Sequence, residues 1–263
     1  MTKLRLPVLF VLLLLMVTPV FAQEDADLST VNSASVKLKG DSIEAEGYGM
    51  IVEGATVTIT MPGVYSISGT LDNGQIIVDC DVDEKVILNL DGVEIRCEYS
   101  APIYVRKSEK RTTIRTAANT KNVVHFGMLD EEEIMRLDDE DISGAIYSKD
   151  DLTITGEGTL EVVAENVDGI VSKDDLRIKG GVLIVTTPED GIRGKDGVEI
   201  YDGQITVVAG RDGIKSTNKN DSARGYIQIM GGQMHITYGD ELLQAATNIE
   251  ITGGKLLSTY RED

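Results

Sequence analysis

The amino-acid sequence predicts an all-β protein, a right-handed parallel β-helix in a single domain, and three observations lead there. One phrase recurs at a fixed interval: Asp168-Gly169-Ile170, Asp190-Gly191-Ile192 and Asp212-Gly213-Ile214 are evenly spaced, with Gly144-Ala145-Ile146 as a degenerate copy at nearly the same spacing before them. Each copy is followed by a stretch of alternating apolar residues, so every second side chain faces one core. Each stretch ends at a glycine turn. A period of roughly 22 residues is one coil of a solenoid, well short of the roughly 40 residues of a propeller blade.

At the start of the chain, Lys3 and Arg5 precede an apolar run from Val8 to Val17, and Val20-Phe21-Ala22 closes it with a small residue. That is the pattern of a cleaved secretory signal over residues 1–22. The mature protein is therefore expected outside the cell or at its surface, with no membrane span after signal cleavage. Residues 23–36 read as a polar leader, and residues 37–263 as the β-helical domain.

Residues 36–127 show β-patterned segments of looser spacing, including Val57-Thr58-Ile59, Gln75 to Val78, Val86 to Leu90 and Thr112-Thr113-Ile114. They are broken at Pro62-Gly63, Asp72-Asn73-Gly74 and Asp91-Gly92. These coils are expected to include the N-terminal cap that shields a solenoid's open end. Between residues 128 and 143 acidic residues crowd together with Ile134, Met135 and Leu137, which predicts a short amphipathic helix or a loop standing off the solenoid.

The regular coils follow. Their strands are Leu152-Thr153-Ile154, Leu176-Arg177-Ile178, Val198-Glu199-Ile200, Ile227-Gln228-Ile229 and Ile249-Glu250-Ile251. The turns are Gly180-Gly181, Asp202-Gly203, Gly231-Gly232 and Gly253-Gly254, where glycine accepts a positive φ without strain. An insertion from Asn218 to Gly225 lengthens the coil between Ile214 and Leu243 beyond the regular period. Insertions in solenoids emerge on one face, often the binding face.

The formal charge of −19 excludes a nucleic-acid partner, which needs a basic footprint. It also means that an acidic polysaccharide would need a bound cation to approach. Cys80 and Cys97, close together in the sequence of an exported chain, are expected to form a disulfide, the alternative being two buried thiols. With only two histidines, His125 and His235, zinc is not indicated.

Aligning the coils stacks Asp168, Asp190 and Asp212 at one corner, and Asp150, Asp174 and Asp196, each preceded by a lysine, at another. Carboxylates about 4.8 Å apart along a sheet repel and call for compensation. Calcium, which takes carboxylate and carbonyl oxygens in flexible geometry, is the cation expected, with Asp168, Asp174, Asp175, Asp190, Asp196 and Asp212 as its candidate ligands. The alternative is that each aspartate caps its own turn, with Lys149, Lys173 and Lys195 neutralising part of the array.

The run Lys173-Asp174-Asp175-Leu176-x-Ile178-x-Gly180-Gly181, the two later Asp-Gly-Ile phrases with their sequels, and upstream phrases such as Leu90-Asp91-Gly92-Val93 and Ala101-Pro102-Ile103-Tyr104 resemble a family of exported bacterial and archaeal carbohydrate-binding domains. The resemblance covers about residues 37–259. It implies a parallel β-helix similar to pectate lyases, associated with calcium and with plant polysaccharides such as cellulose and polygalacturonate. Glu241-Leu242-Leu243 replaces the expected Asp-Gly-Ile of the next coil, and the family's last coils are expected to be cut short here.

Calcium-assisted polysaccharide binding is thus the expected function, with Arg193, Lys195, Lys215 and Tyr226 as candidate ligand-binding residues. The chain has no Trp, and Phe126 is the one phenylalanine after the signal segment. Flat platforms for crystalline cellulose use exposed aromatic faces, so a pectin-like uronate held through calcium suits the composition better. Two alternatives stand beside this reading. One is a calcium-dependent lyase, in which a Lys or Arg would remove the proton next to a calcium-bound carboxylate. The other is a non-catalytic surface or adhesive solenoid.

Overall fold

Alternation along each strand builds the core. In Gln204–Ala209, Ile205, Val207 and Ala209 are buried while Gln204 and Thr206 are exposed, and the same alternation of buried positions recurs in Thr159–Ala164 and Gln233–Tyr238. Stacked coil on coil, these residues line the interior of a right-handed parallel β-helix of about seven turns. The computed structural model describes residues 32–128 and 142–261, and among them no helix occurs. The expected signal and most of the leader, and all but the rims of the acidic excursion between residues 128 and 143, lie outside the described residues.

Each regular coil crosses three faces. The first carries Gly144–Ser148, Asp168–Ser172, Ile192–Gly194, Ile214–Ser216 and Leu243–Ala245, all paired in parallel. The second carries Leu152–Gly156, Asp175–Ile178, Gly197–Ile200, Tyr226–Ile229 and Ile249–Ile251. The third carries Thr159–Ala164, Val182–Thr187, Gln204–Ala209, Gln233–Tyr238 and Lys255–Tyr260. The second and third faces join through the long strand Lys85–Cys97. Its first half pairs with Arg111–Thr116, its second with Lys121–Phe126, and Gly92 between them has φ +71°.

The expected interior ladder is present: Ile146, Ile170, Ile192, Ile214 and Leu243 are successive register partners on the first face. The glycine of each Asp-Gly-Ile phrase lets the corner close onto the third face. A Cβ on Gly191 would come within 2.4 Å of Val207 Cγ1.

The predicted N-terminal cap also appears. Ser33–Gly40 pairs antiparallel with Ile43–Glu46 and, along its other edge, parallel with Gly63–Leu71, and its Ala34, Val36 and Leu38 are buried over the first coil. At the far end, the strands from Leu243 to Tyr260 leave Ile249, Ile251 and Leu257 exposed.

The expected disulfide is not formed. Cys80 ends a strand of the first-face sheet opposite Ser108, whereas Cys97 ends the long strand of the other sheet opposite Phe126, so the two buried thiols belong to different sheets. Burial pushes the Cys80 thiol pKa up, in keeping with a small apolar role.

Candidate functional site

The aspartate that opens each Asp-Gly-Ile phrase turns inward at the corner before the first face, where Asp168, Asp190 and Asp212 are buried. Each binds the next coil. Asp168 Oδ1 accepts the backbone N–H of Asp190 at 3.1 Å, Asp190 Oδ1 that of Asp212 at 3.2 Å, and Asp212 Oδ1 that of Glu241 at 3.0 Å. The second oxygens meet cations of the chain itself. Arg193 lies 2.9 Å from Asp168 Oδ2, and Lys215 Nζ sits between Asp190 and Asp212 at 2.9 and 2.7 Å. Arg193 also donates to Ser143 Oγ at 2.6 Å.

Burial sets the electrostatics here. It pushes the Asp168 carboxyl up to about 6, with Asp190 adding to the shift and Arg193 opposing it. For Lys215, burial works against the charge, but hydrogen bonds and Coulomb attraction to Asp212 and Asp190 raise the ammonium's pKa. Lys215 is thus held protonated, the wrong state for a general base.

The corner after the first face holds the other aspartates. Asp196 accepts from Asn218 Nδ2 at 2.6 Å and pairs with Arg224, and Asp175 meets Arg177 Nη2 at 2.7 Å. Asp174 lies among Asp196, Asp151 and Asp150, and burial with these charges raises its pKa against the pull of Lys195, whose own side chain is exposed. As a calcium cage Asp168, Asp190, Asp212 and Asp196 do not fit: their oxygens are engaged by backbone N–H groups, Asn218 and cations, and among the described residues no group of three or more His, Cys, Asp or Glu is arranged to hold a metal ion.

The second face carries a network that sequence reasoning missed. Arg177 reaches Asp151 at 3.0 Å, Asp175 at 2.7 Å and Glu199 at 3.0 Å, and Arg111 adds a second contact to Asp151 at 3.2 Å. Tyr201 and Tyr226 both donate their hydroxyls to Glu199, each at 2.7 Å. Burial would raise the Glu199 pKa, yet these three donors hold it below the ordinary carboxylate range. Tyr201 is pushed up to about 12 by burial and by its bond to Glu199. The signal was available in Leu176-Arg177-Ile178 and Val198-Glu199-Ile200, whose central residues have opposite charges at equivalent, outward positions.

The insertion expected to mark the binding face completes a pocket beside Tyr226. Asn218 and Arg224 tie it to Asp196, and Thr247 Oγ1 donates to the Arg224 carbonyl at 2.6 Å. Ser222 and Ala223 of this loop face Tyr226, Gln228, Asn248 and Glu250 across about 300 Å³. Gln228 Nε2 donates to Glu250 at 3.1 Å, placing an amide and a carboxylate beside the aromatic residue. A ring with a few convergent hydrogen-bonding groups is the lining a sugar requires.

The four expected ligand-binding residues do not form one site, although Arg193 and Lys215 are register partners on adjacent coils. Arg193 and Lys215 project from the first face into ion pairs, Lys195 stands at the corner, and Tyr226 alone of the four lines the pocket. No described helix is long and apolar enough to cross a membrane.

A family model described as "Carbohydrate-binding domain-containing protein" matches residues 53–262. A protein of that same description from Acetivibrio thermocellus is 38% identical over 154 residues, which are 58% of this chain and 53% of the relative. The chain thus spans about half the length of that curated relative. A solved structure described as the polysaccharide lyase-like protein from C. thermocellum, gadolinium derivative, matches at a TM-score of 0.73 and 32% identity, covering 88% of this chain and 97% of its own.

Proposed function

The chain belongs to the carbohydrate-binding domain family whose model it matches, and from that premise we propose that it is a non-catalytic, exported protein that holds polysaccharide in the pocket beside Tyr226. The observation that carries this reading is the Asn218–Gly225 insertion. It adds a second wall to an otherwise regular coil at the one place where a tyrosine, Gln228 and Glu250 lie together.

A lyase would need an unprotonated basic side chain near its substrate. Lys215 and Arg193, the two candidates set on the first face, are each bound to buried aspartates. The carboxylates of Asp168, Asp190, Asp212 and Asp196 are already engaged by the protein's own groups, so the binding step is assigned to the polar groups beside Tyr226. A bound uronate would bring calcium with it to Asp174, whose carboxyl lies among those of Asp196, Asp151 and Asp150.

Retention on a panel of neutral and uronic polysaccharides, with and without a chelator and with unsaturated-uronate absorbance followed throughout, tests the proposal. Retention without product supports it, and chelator sensitivity separates a calcium-bridged ligand from a directly bound one. No retention on any polysaccharide, or steady formation of product, overturns it.

A further inference from the structure

A second groove runs along the corner between the second and third faces, far in the coil from the Asp-Gly-Ile phrases. Its floor is Gly156, Gly181, Gly203 and Gly232, stacked in successive coils with φ of +116°, +89°, +124° and +84°. Because these residues carry no side chain, the trough stays open over about 530 Å³, and a Cβ on Gly203 would stand 3.1 Å from the Gly181 carbonyl oxygen. One wall is the column of Val182, Gln204 and Gln233, which are consecutive register partners. The other is formed by Glu157 and Asp202.

The groups facing this trough are acceptors and amides. The carbonyls of Gly181 and Gly203 accept one ladder bond each, from the N–H of Gln204 at 2.9 Å and of Gln233 at 2.8 Å, leaving each a second lone pair. Both glutamine side chains are exposed, and their amides offer donors and acceptors one coil apart. Adjacent coils stand about 4.8 Å apart, close to the length of one sugar residue in an extended polysaccharide. A chain lying along the solenoid axis would therefore place about one sugar against each coil in turn. Charge narrows its chemistry: Glu157 and Asp202 are the charged residues lining the groove, no cation does, and the protein as a whole carries −19, which disfavours a uronate.

We propose that the glycine-corner groove is a second carbohydrate site, which takes a neutral polysaccharide chain parallel to the solenoid axis, about one sugar per coil, read by Gln204 and Gln233. The site rests on the carbohydrate-binding reading of the family but is independent of the Tyr226 pocket.

Calorimetric titration with cello-oligosaccharides of increasing length, on the native protein, Gln204→Ala/Gln233→Ala and Tyr226→Ala, tests it. The affinity is expected to rise with length until the oligosaccharide spans the four glycine coils. Losing two neutral hydrogen bonds is expected to weaken cellohexaose binding by about tenfold in the glutamine variant. With Tyr226→Ala also in place, the glutamine change is expected to weaken cellohexaose binding by the same factor, and hexagalacturonate is expected to be indifferent to the glutamine change. Cellohexaose bound equally by the glutamine variant, or bound without dependence on length, would overturn the groove assignment. Loss of cellohexaose binding in Tyr226→Ala alone also overturns it while leaving the family reading intact. If the native protein binds neither neutral nor uronic oligosaccharides, both fall together.

Discussion

The ring of Tyr226 rests on Gly197, its register partner one coil earlier: a Cβ at Gly197 would lie 2.6 Å from the ring's Cζ. The missing side chain is what seats the ring and lets its hydroxyl reach Glu199 at 2.7 Å. Gly197 has no positive φ, so alanine is compatible with its backbone and acts on the ring alone. Gly197→Ala is expected to destabilise the fold by only about 1 kcal/mol through crowding, while weakening carbohydrate binding severalfold. Thermal melting and a binding titration on the same variant check this, and Tyr226→Phe, which keeps the ring, is expected to retain more affinity than Gly197→Ala.

Lys215 pairs with two carboxylates at once, and both aspartates are 2–3% exposed at their side chains. Lys215→Met would leave that charge buried without its partner, a change that costs on the order of 3–5 kcal/mol when a buried pair is broken. Asp190→Asn and Asp212→Asn combined with Lys215→Met are expected to recover much of the loss. Denaturant unfolding of the single and triple variants measures both effects.

Asp168 makes the stability of the fold depend on pH in a direction opposite to most carboxylates. Its folded pKa is about 6, above the ordinary 3.8, so the folded state holds a proton that the unfolded state has released. The stability linked to this proton is complete below pH ~4 and lost as pH rises through about 6, on the order of 2–3 kcal/mol in all. Asp168→Asn does not titrate. Its stability relative to the native protein is therefore expected to improve between pH 4.5 and 7.5, and a constant or declining difference in melting temperature would contradict the assignment.

Much of the architecture was legible in the sequence because a solenoid repeats its instructions. The even spacing of the Asp-Gly-Ile phrases placed Ile170, Ile192 and Ile214 in one interior ladder, and positive-φ glycines marked Gly181, Gly203 and Gly232 as corners. The site was harder to read for a specific reason. Stacked aspartates show their mutual repulsion in the sequence, but what relieves it depends on which way neighbouring side chains point. Arg193 and Lys215, each three residues after Asp190 and Asp212 on the strand that leaves the corner, return to the corner they left, Arg193 reaching one coil back to Asp168. These side chains supply positive charge at the corner where calcium was expected. The Arg177–Glu199 contact was hidden in the same way, since it joins side chains from successive coils that only coil register brings together. The cysteines illustrate the converse: Cys80 and Cys97 are near neighbours in sequence, yet the chain turns a corner between them and leaves them in different sheets.

Carbohydrate binding beside Tyr226 is most directly tested by isothermal titration of the polysaccharide best retained by the native protein, run on Gln204→Ala/Gln233→Ala, which silences the glycine-corner groove, and on the same variant carrying Tyr226→Ala. Removing a stacked aromatic and its hydrogen bond is expected to weaken binding about tenfold or more, with melting little changed and no unsaturated product formed. Equal affinity in the two proteins, or product that accumulates with the native one, would contradict the account.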